Sequence, residues 1–122
     1  MRFAQRTFTA AGIYGLLVLA PLYFLEHYLN ENQPPPITHP EFFYGFIGVA
    51  LAWQVAFIAI GRDPLRFRPL IPACILEKLT YSLATIVLYL QSRLAASTLA
   101  IGLVDLLLGT LFFIAYLKTP AS

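Results

Sequence analysis

The sequence predicts an all-α fold: a polytopic integral membrane protein built as a bundle of four transmembrane helices. Three observations lead there. Four apolar stretches each come close to the roughly 20 residues that a helix needs to cross about 30 Å of hydrocarbon. Charged residues make up only 11% of the chain and apolar ones 59%, against about 25% charged in a soluble domain. Residues that start and stop helices fall near the ends of those stretches. With a mean hydropathy of +0.74, the chain lacks the polar surface to cover itself in water, and lipid takes the place of solvent around most of its outside. The 122 residues make one domain, 1–122.

The first stretch runs from Phe8 to Leu29 and contains Pro21, which should bend it. Arg2 and Arg6 ahead of it, with "VLA" inside it, raise the possibility of a cleaved signal peptide. The apolar run exceeds the roughly 7–15 residues of such a segment, and Pro21 would directly follow the scissile bond, so a retained helix is expected. The connector "NENQPPPITHP" is polar, and its three consecutive prolines favour an extended polyproline form. The second stretch, Phe42 to Ile60, opens on a capping-box pattern, Thr38-x-x-Glu41, with Pro40 in the tolerant first turn. Gly61 stands where this helix should stop, and Gly48, Ala52 and Ala56 give it a small-residue face for close packing.

The next connector, "GRDPLRFRP", is basic. The third stretch, Ile71 to Leu90, has Pro72 in its first turn. Only "QSRL" separates it from the fourth, Ala95 to Leu117, so these two must form an antiparallel hairpin. In the fourth, Gly102, Asp105 and Gly109 recur at i, i+3 and i+7, which lets a neighbouring helix approach and turns Asp105 toward protein.

The basic residues set an orientation. Arg2, Arg6, Arg62, Arg66, Arg68 and Lys118 fall on one side of a four-pass chain, and Arg93 on the other. The positive-inside rule places both termini and the Arg-rich loop in the cytoplasm, in a cell (inner) membrane crossed several times. The proline loop then faces outward, edged by the aromatic runs "PLYFLEHYL" and "EFFYGF", as an interfacial belt should be. Arg62, Arg66 and Arg68 would meet anionic lipid headgroups; docking of a protein partner is the rival use of that loop.

One segment contradicts the apolar pattern. "LIPACILEKLTYSLA" sets Glu77 beside Lys78, and adjacent helical residues point about 100° apart. Cys74, Lys78, Ser82, Thr85 and Tyr89 share one side of that helix, with Glu77 and Tyr81 beside it. Lipid does not tolerate such a stripe, so it must face the bundle. At about 1.5 Å rise per residue, Tyr14, Gln54, Glu77, Lys78, Tyr81 and Asp105 converge in the inner half. Lys78 can reach Asp105 if their faces meet, offsetting the desolvation of both, with Glu77 turned toward Gln54 or the cytoplasmic rim. Two readings stand side by side. In one the charges only hold the bundle in register, with Lys78 snorkelling and Glu77 paired to Arg62, Arg66 or Arg68. In the other the cluster binds a small ligand, a lipid headgroup or a proton.

The remaining features exclude more than they assign. The single cysteine, Cys74, rules out an intramolecular disulfide and paired-cysteine redox chemistry. It reads as a small apolar filler, and Trp53 as a packing or lipid-facing ring. His27 and His39 border the outer loop with Glu26 and Glu41, but without metal-ligand spacing. Neither a metal nor a cofactor is expected. A net charge of +2 does not suggest nucleic acid.

The closing segment "LVDLLLGTLFFIAYLKT" resembles the last helix of small bacterial four-helix membrane proteins of the DoxX-like type. The four-pass layout and length resemble them too, through Asp105 and Gly109 alone as motif residues. That resemblance implies the architecture and little about activity. Vitamin K epoxide reductase-like chemistry needs paired cysteines, and sterol-isomerase-like chemistry needs histidine inside the membrane; neither requirement is met. The function expected is therefore non-catalytic: an accessory or scaffold subunit of a larger membrane complex, or a lipid-binding bundle. The alternative is a small intramembrane enzyme or proton-coupled carrier for a hydrophobic substrate, working through Glu77, Lys78 and Asp105.

Overall fold

The computed structural model describes residues 2–33 and 36–121. The chain is helical throughout its regular structure, with no strand among the described residues. Helix α1 spans Arg2–Leu19, a 3-10 turn covers Ala20–Phe24, and short α2 follows at Glu26–Asn32. Then come α3 (Pro40–Arg62), a 3-10 turn at Arg68–Leu70, α4 (Ile71–Leu90) and α5 (Ala96–Lys118). Four segments are long and apolar enough to cross a membrane, each of 23 residues: Arg2–Phe24, Pro40–Arg62, Arg68–Leu90 and Ala96–Lys118.

The first apolar stretch differs most from the sequence expectation. The helix begins at Arg2, because Ala4, Phe8 and Ala11 form a buried face that continues to Gly15. It then ends as an α-helix at Leu19. Pro21 has no N–H to return to the preceding turn, and the chain tightens into the 3-10 turn before restarting at Glu26. The expected single bent helix over 8–29 is thus two helices and a turn. The expected polyproline form falls on Pro34 and Pro35, which lie outside the described residues.

Two local expectations are also corrected. Thr38 does not cap α3; His39 takes the N-cap position with no side-chain cap bond, and the Glu41 carboxylate instead meets His39 Nδ1 at 3.1 Å. Gly61 does not stop α3, which runs on through Arg62. It is a packing glycine: a Cβ there would overlap the Thr9 side chain and stand 2.9 Å from the Thr9 nitrogen.

The four long helices form two antiparallel pairs. Helix α1 packs against α3, and α4 against α5, while α1 also meets α5; α3 and α4 barely touch. Glycine sets the close approaches. Gly12 and Gly15 bring α1 against Gln54 and Ile58 of α3, and Gly102 and Gly109 bring α5 against Thr85 and Lys78 of α4. Gly48, by contrast, meets only the Tyr23 hydroxyl at 3.4 Å, and Ala52 is exposed. The face expected from Gly48, Ala52 and Ala56 is therefore not the α1–α3 seam.

A cluster of three rings ties the pairs together at the end where both termini lie. Phe8 stacks on Phe112 with centroids 4.2 Å apart, and Phe57 meets Phe112 edge-on at 5.0 Å. All three are fully buried. At the same end Lys118 Nζ sits 4.7 Å from the Phe3 ring. Outward, large apolar side chains such as Leu17, Phe24, Leu83 and Leu90 stand exposed.

Candidate functional site

A cavity of about 130 Å³ lies at the centre of the bundle. All six polar residues expected to converge, Tyr14, Gln54, Glu77, Lys78, Tyr81 and Asp105, are on its wall. The rest of the wall is apolar: Val18 and Leu19 from α1, Leu22 from the 3-10 turn, Phe46 and Ala50 from α3, and Ile101 from α5.

Each charge is placed by its helix. The inward stripe of α4 is Ile71, Cys74, Lys78, Ser82 and Thr85. Ser82 and Thr85 satisfy themselves, donating to the Leu79 and Ser82 carbonyls at 3.0 and 2.8 Å. Lys78 has no such local acceptor and turns to α5, where its Nζ donates to Asp105 Oδ1 at 3.4 Å. Gly102 and Gly109 flank Asp105 on the same buried face, so the carboxylate can come within reach. The aromatic cluster supplies a floor: Lys78 Nζ lies 5.2 Å from the Phe57 centroid.

Glu77 departs from the expectation. It pairs with its neighbour Lys78, Oε2 to Nζ 3.7 Å, rather than with Gln54, the rim or an arginine. The two Cβ bonds diverge around the helix, but both side chains are long enough for their tips to meet over the cavity. Lys78 thus serves two carboxylates at once, with side-chain exposure of 4% for Lys78, 21% for Glu77 and 12% for Asp105. Two carboxyl groups thus face one ammonium.

Gln54 completes the wall from α3. Its Nε2 donates to the Ala50 carbonyl at 2.8 Å. A carbonyl only accepts, so the amide orientation is settled, and Oε1 is left against Gly15. Gln54 is 1% exposed. Gln54 Oε1 and Glu77 Oε2 are both buried acceptors with no hydrogen-bond partner among the described residues.

A second hollow adjoins the first. Because α3 and α4 stand apart, an open groove of about 690 Å³ runs between them, lined by Phe42, Val49, Trp53 and Thr80 among others. Phe46, Ala50, Glu77 and Tyr81 line both groove and cavity. Of these shared residues, Phe46 and Tyr81 stack with ring centroids 6.0 Å apart.

The other sequence candidates lie elsewhere. Arg62 and Arg66 are exposed at the end carrying the termini. Arg68 is half-buried there, donating from Nε to the Thr119 carbonyl at 2.8 Å with its guanidinium 4.0 Å from the Tyr116 ring. At the opposite end, His27 pairs with Glu31 at 3.0 Å, His39 with Glu41, and Tyr44 donates to Glu26 at 3.0 Å. These are separate pairs, and no group of three or more potential metal ligands occurs among the described residues. Cys74 is a buried free thiol. Sequence reasoning did not single out Phe46 or Ala50; only their place opposite α4, invisible in one dimension, marks them.

No family model, curated protein or solved structure matches the chain.

Proposed function

We propose that this protein is a multi-pass membrane protein whose four long helices enclose a binding site for an amphiphilic molecule, and that it binds without catalysing a reaction. The observation that carries this is the central cavity: an apolar chamber with a set of polar groups on its wall, sharing Phe46, Ala50, Glu77 and Tyr81 with a groove on the bundle's flank. An amphiphile matches it, with its head at Glu77 and Gln54 and its chain toward the groove. A charge network serving only helix register needs no chamber beside it. The positive-inside rule supports cytoplasmic termini, with Arg62 and Arg66 meeting anionic lipid. Arg68 is already engaged by Thr119 and Tyr116 and contributes less.

Native mass spectrometry of the intact protein from mild detergent tests the reading. A small molecule should leave with the wild-type protein and be lost in Ala50→Phe, which fills the chamber. Retention by both forms, or by neither, refutes it. A fixed protein companion with no small molecule would instead indicate an accessory subunit.

One observation favours a second reading. The second carboxyl group sharing Lys78 offers a place for a proton, which a proton-coupled carrier of a hydrophobic substrate would use. Proton uptake that accompanies substrate movement in sealed vesicles, and stops in Glu77→Gln, would select it.

A further inference from the structure

We infer that the amphiphile is a single-chain amine: its protonated amino head sits between Glu77 and Gln54, and its alkyl chain leaves through the groove between α3 and α4. This rests on the cavity-binding reading above and names the ligand class.

Three features select that chemistry. The first is charge. Lys78 is the cation nearest the cavity, and it already serves both Glu77 and Asp105. A carboxylate or phosphate head would bring a third acidic group to a site with one cation; an ammonium brings a second cation to two carboxyl groups. The second is hydrogen bonding. The buried side-chain atoms with no hydrogen bond among the described residues, Gln54 Oε1 and Glu77 Oε2, are both acceptors, the second only ion-paired with Lys78 at 3.7 Å, and a buried acceptor without a donor is costly. An ammonium brings three donors. The third is size. A cavity of about 130 Å³ is close in size to one that holds a benzene ring, about six heavy atoms. That suits an amino group with its first methylenes but not a phosphodiester with its glycerol. The chain then follows the shared wall past Phe46 and Tyr81, into a groove lined by Val49 and Trp53.

The groove carries its own reporter, because Trp53 is the only tryptophan in the chain. Bromine on an alkyl chain lying there quenches its fluorescence. Purified protein in detergent is titrated with four bromine-tagged probes: a primary alkyl amine, the alcohol and the carboxylate of equal chain length, and an aminophospholipid. The amine should quench saturably, at about tenfold lower concentration than the alcohol, as expected for a charged hydrogen bond. The carboxylate and the phospholipid should give only the linear background of micelle partitioning. Glu77→Gln should bring the amine to the alcohol's level, and Gln54→Leu should narrow the gap while keeping Lys78, Glu77 and Asp105. Saturation by the carboxylate or the phospholipid at or below the amine's concentration overturns the inference and leaves amphiphile binding standing. So does an amine advantage unchanged in both variants. Absence of a saturable phase for every probe overturns both.

Discussion

Lys78 is the residue through which two helices and two carboxylates are joined. Its ammonium lies within 3.4 Å of Asp105 and 3.7 Å of Glu77, so the consequences of removing each partner differ. Lys78→Met strands two carboxylates. Asp105→Asn strands none, since Lys78 keeps Glu77. Stranding a buried charge costs about 3–5 kcal/mol in soluble proteins, and protonation and water soften that cost in membranes. Lys78→Met is therefore expected to be less stable in detergent, by thermal unfolding, than both wild type and Asp105→Asn. The double variant should be more stable than Lys78→Met alone. Simple additivity across the double-mutant cycle would show that the two residues do not share a network. Gln54 allows a second test. A Cβ on Gly15 would overlap its amide group, which is held by the bond to the Ala50 carbonyl. Gly15→Ala should cost about 1–3 kcal/mol, the usual range for overpacking. Gln54→Ala removes the obstructing atoms, so most of that loss should return in the Gly15→Ala, Gln54→Ala pair. Equal losses in both backgrounds would place the damage elsewhere.

At the scale of elements, the turn after α4 is built against its sequence. The Arg93 N–H bonds the Leu88 carbonyl and the Ser92 N–H bonds the Tyr89 carbonyl, both at 2.9 Å. This is the Schellman pairing, with Ser92 at φ 59° in the left-handed position where glycine is preferred. Ser92→Gly should raise the stability of the α4–α5 hairpin by about 1 kcal/mol, read as a higher unfolding midpoint; a lower midpoint would mean that the Ser92 side chain contributes a contact worth more than the strain. The same elements explain what could be read in one dimension. The polar wall was legible because polar side chains in lipid have few places to go, and Lys78, Gln54 and Asp105 each had to turn inward. The aromatic cluster was not. Phe8, Phe57 and Phe112 are as apolar as the exposed Leu17 and Phe24, and where lipid replaces water, hydrophobicity does not separate core from surface. Gly61 was misread because glycine both ends helices and admits neighbours, and only the position of Thr9 across the seam distinguishes the two roles. The Glu77–Lys78 pair was missed because helical angles describe where side chains start, not where long ones end.

For the whole molecule, the pairing of α1 with α3 and of α4 with α5 carries six of the eight lysines and arginines to a single end and leaves Lys78 at the central cavity. The contacts Lys118–Phe3 and Arg68–Thr119 close that end, and Arg93 stands at the other, bonded to Gln91 at 3.1 Å. The proposed orientation follows from this separation, because lysine and arginine flanking a span resist transfer across the membrane. It is tested by a membrane-impermeant thiol reagent on sealed cells. Cys74 is fully buried and is replaced first, as Cys74→Ala, to clear the background. Gln33→Cys and Pro120→Cys then report the two ends, both at exposed positions. Gln33→Cys should react in intact cells, and Pro120→Cys only after the membrane is opened. Replacing Arg62 and Arg66 by Gln should blur that difference, since both guanidinium groups are exposed beside two spans. Arg68→Gln should matter less for orientation and more for stability, because it loses its bond to the C-terminal turn of α5. Reaction of Pro120→Cys from outside as fast as Gln33→Cys would remove either the fourth span or the orientation.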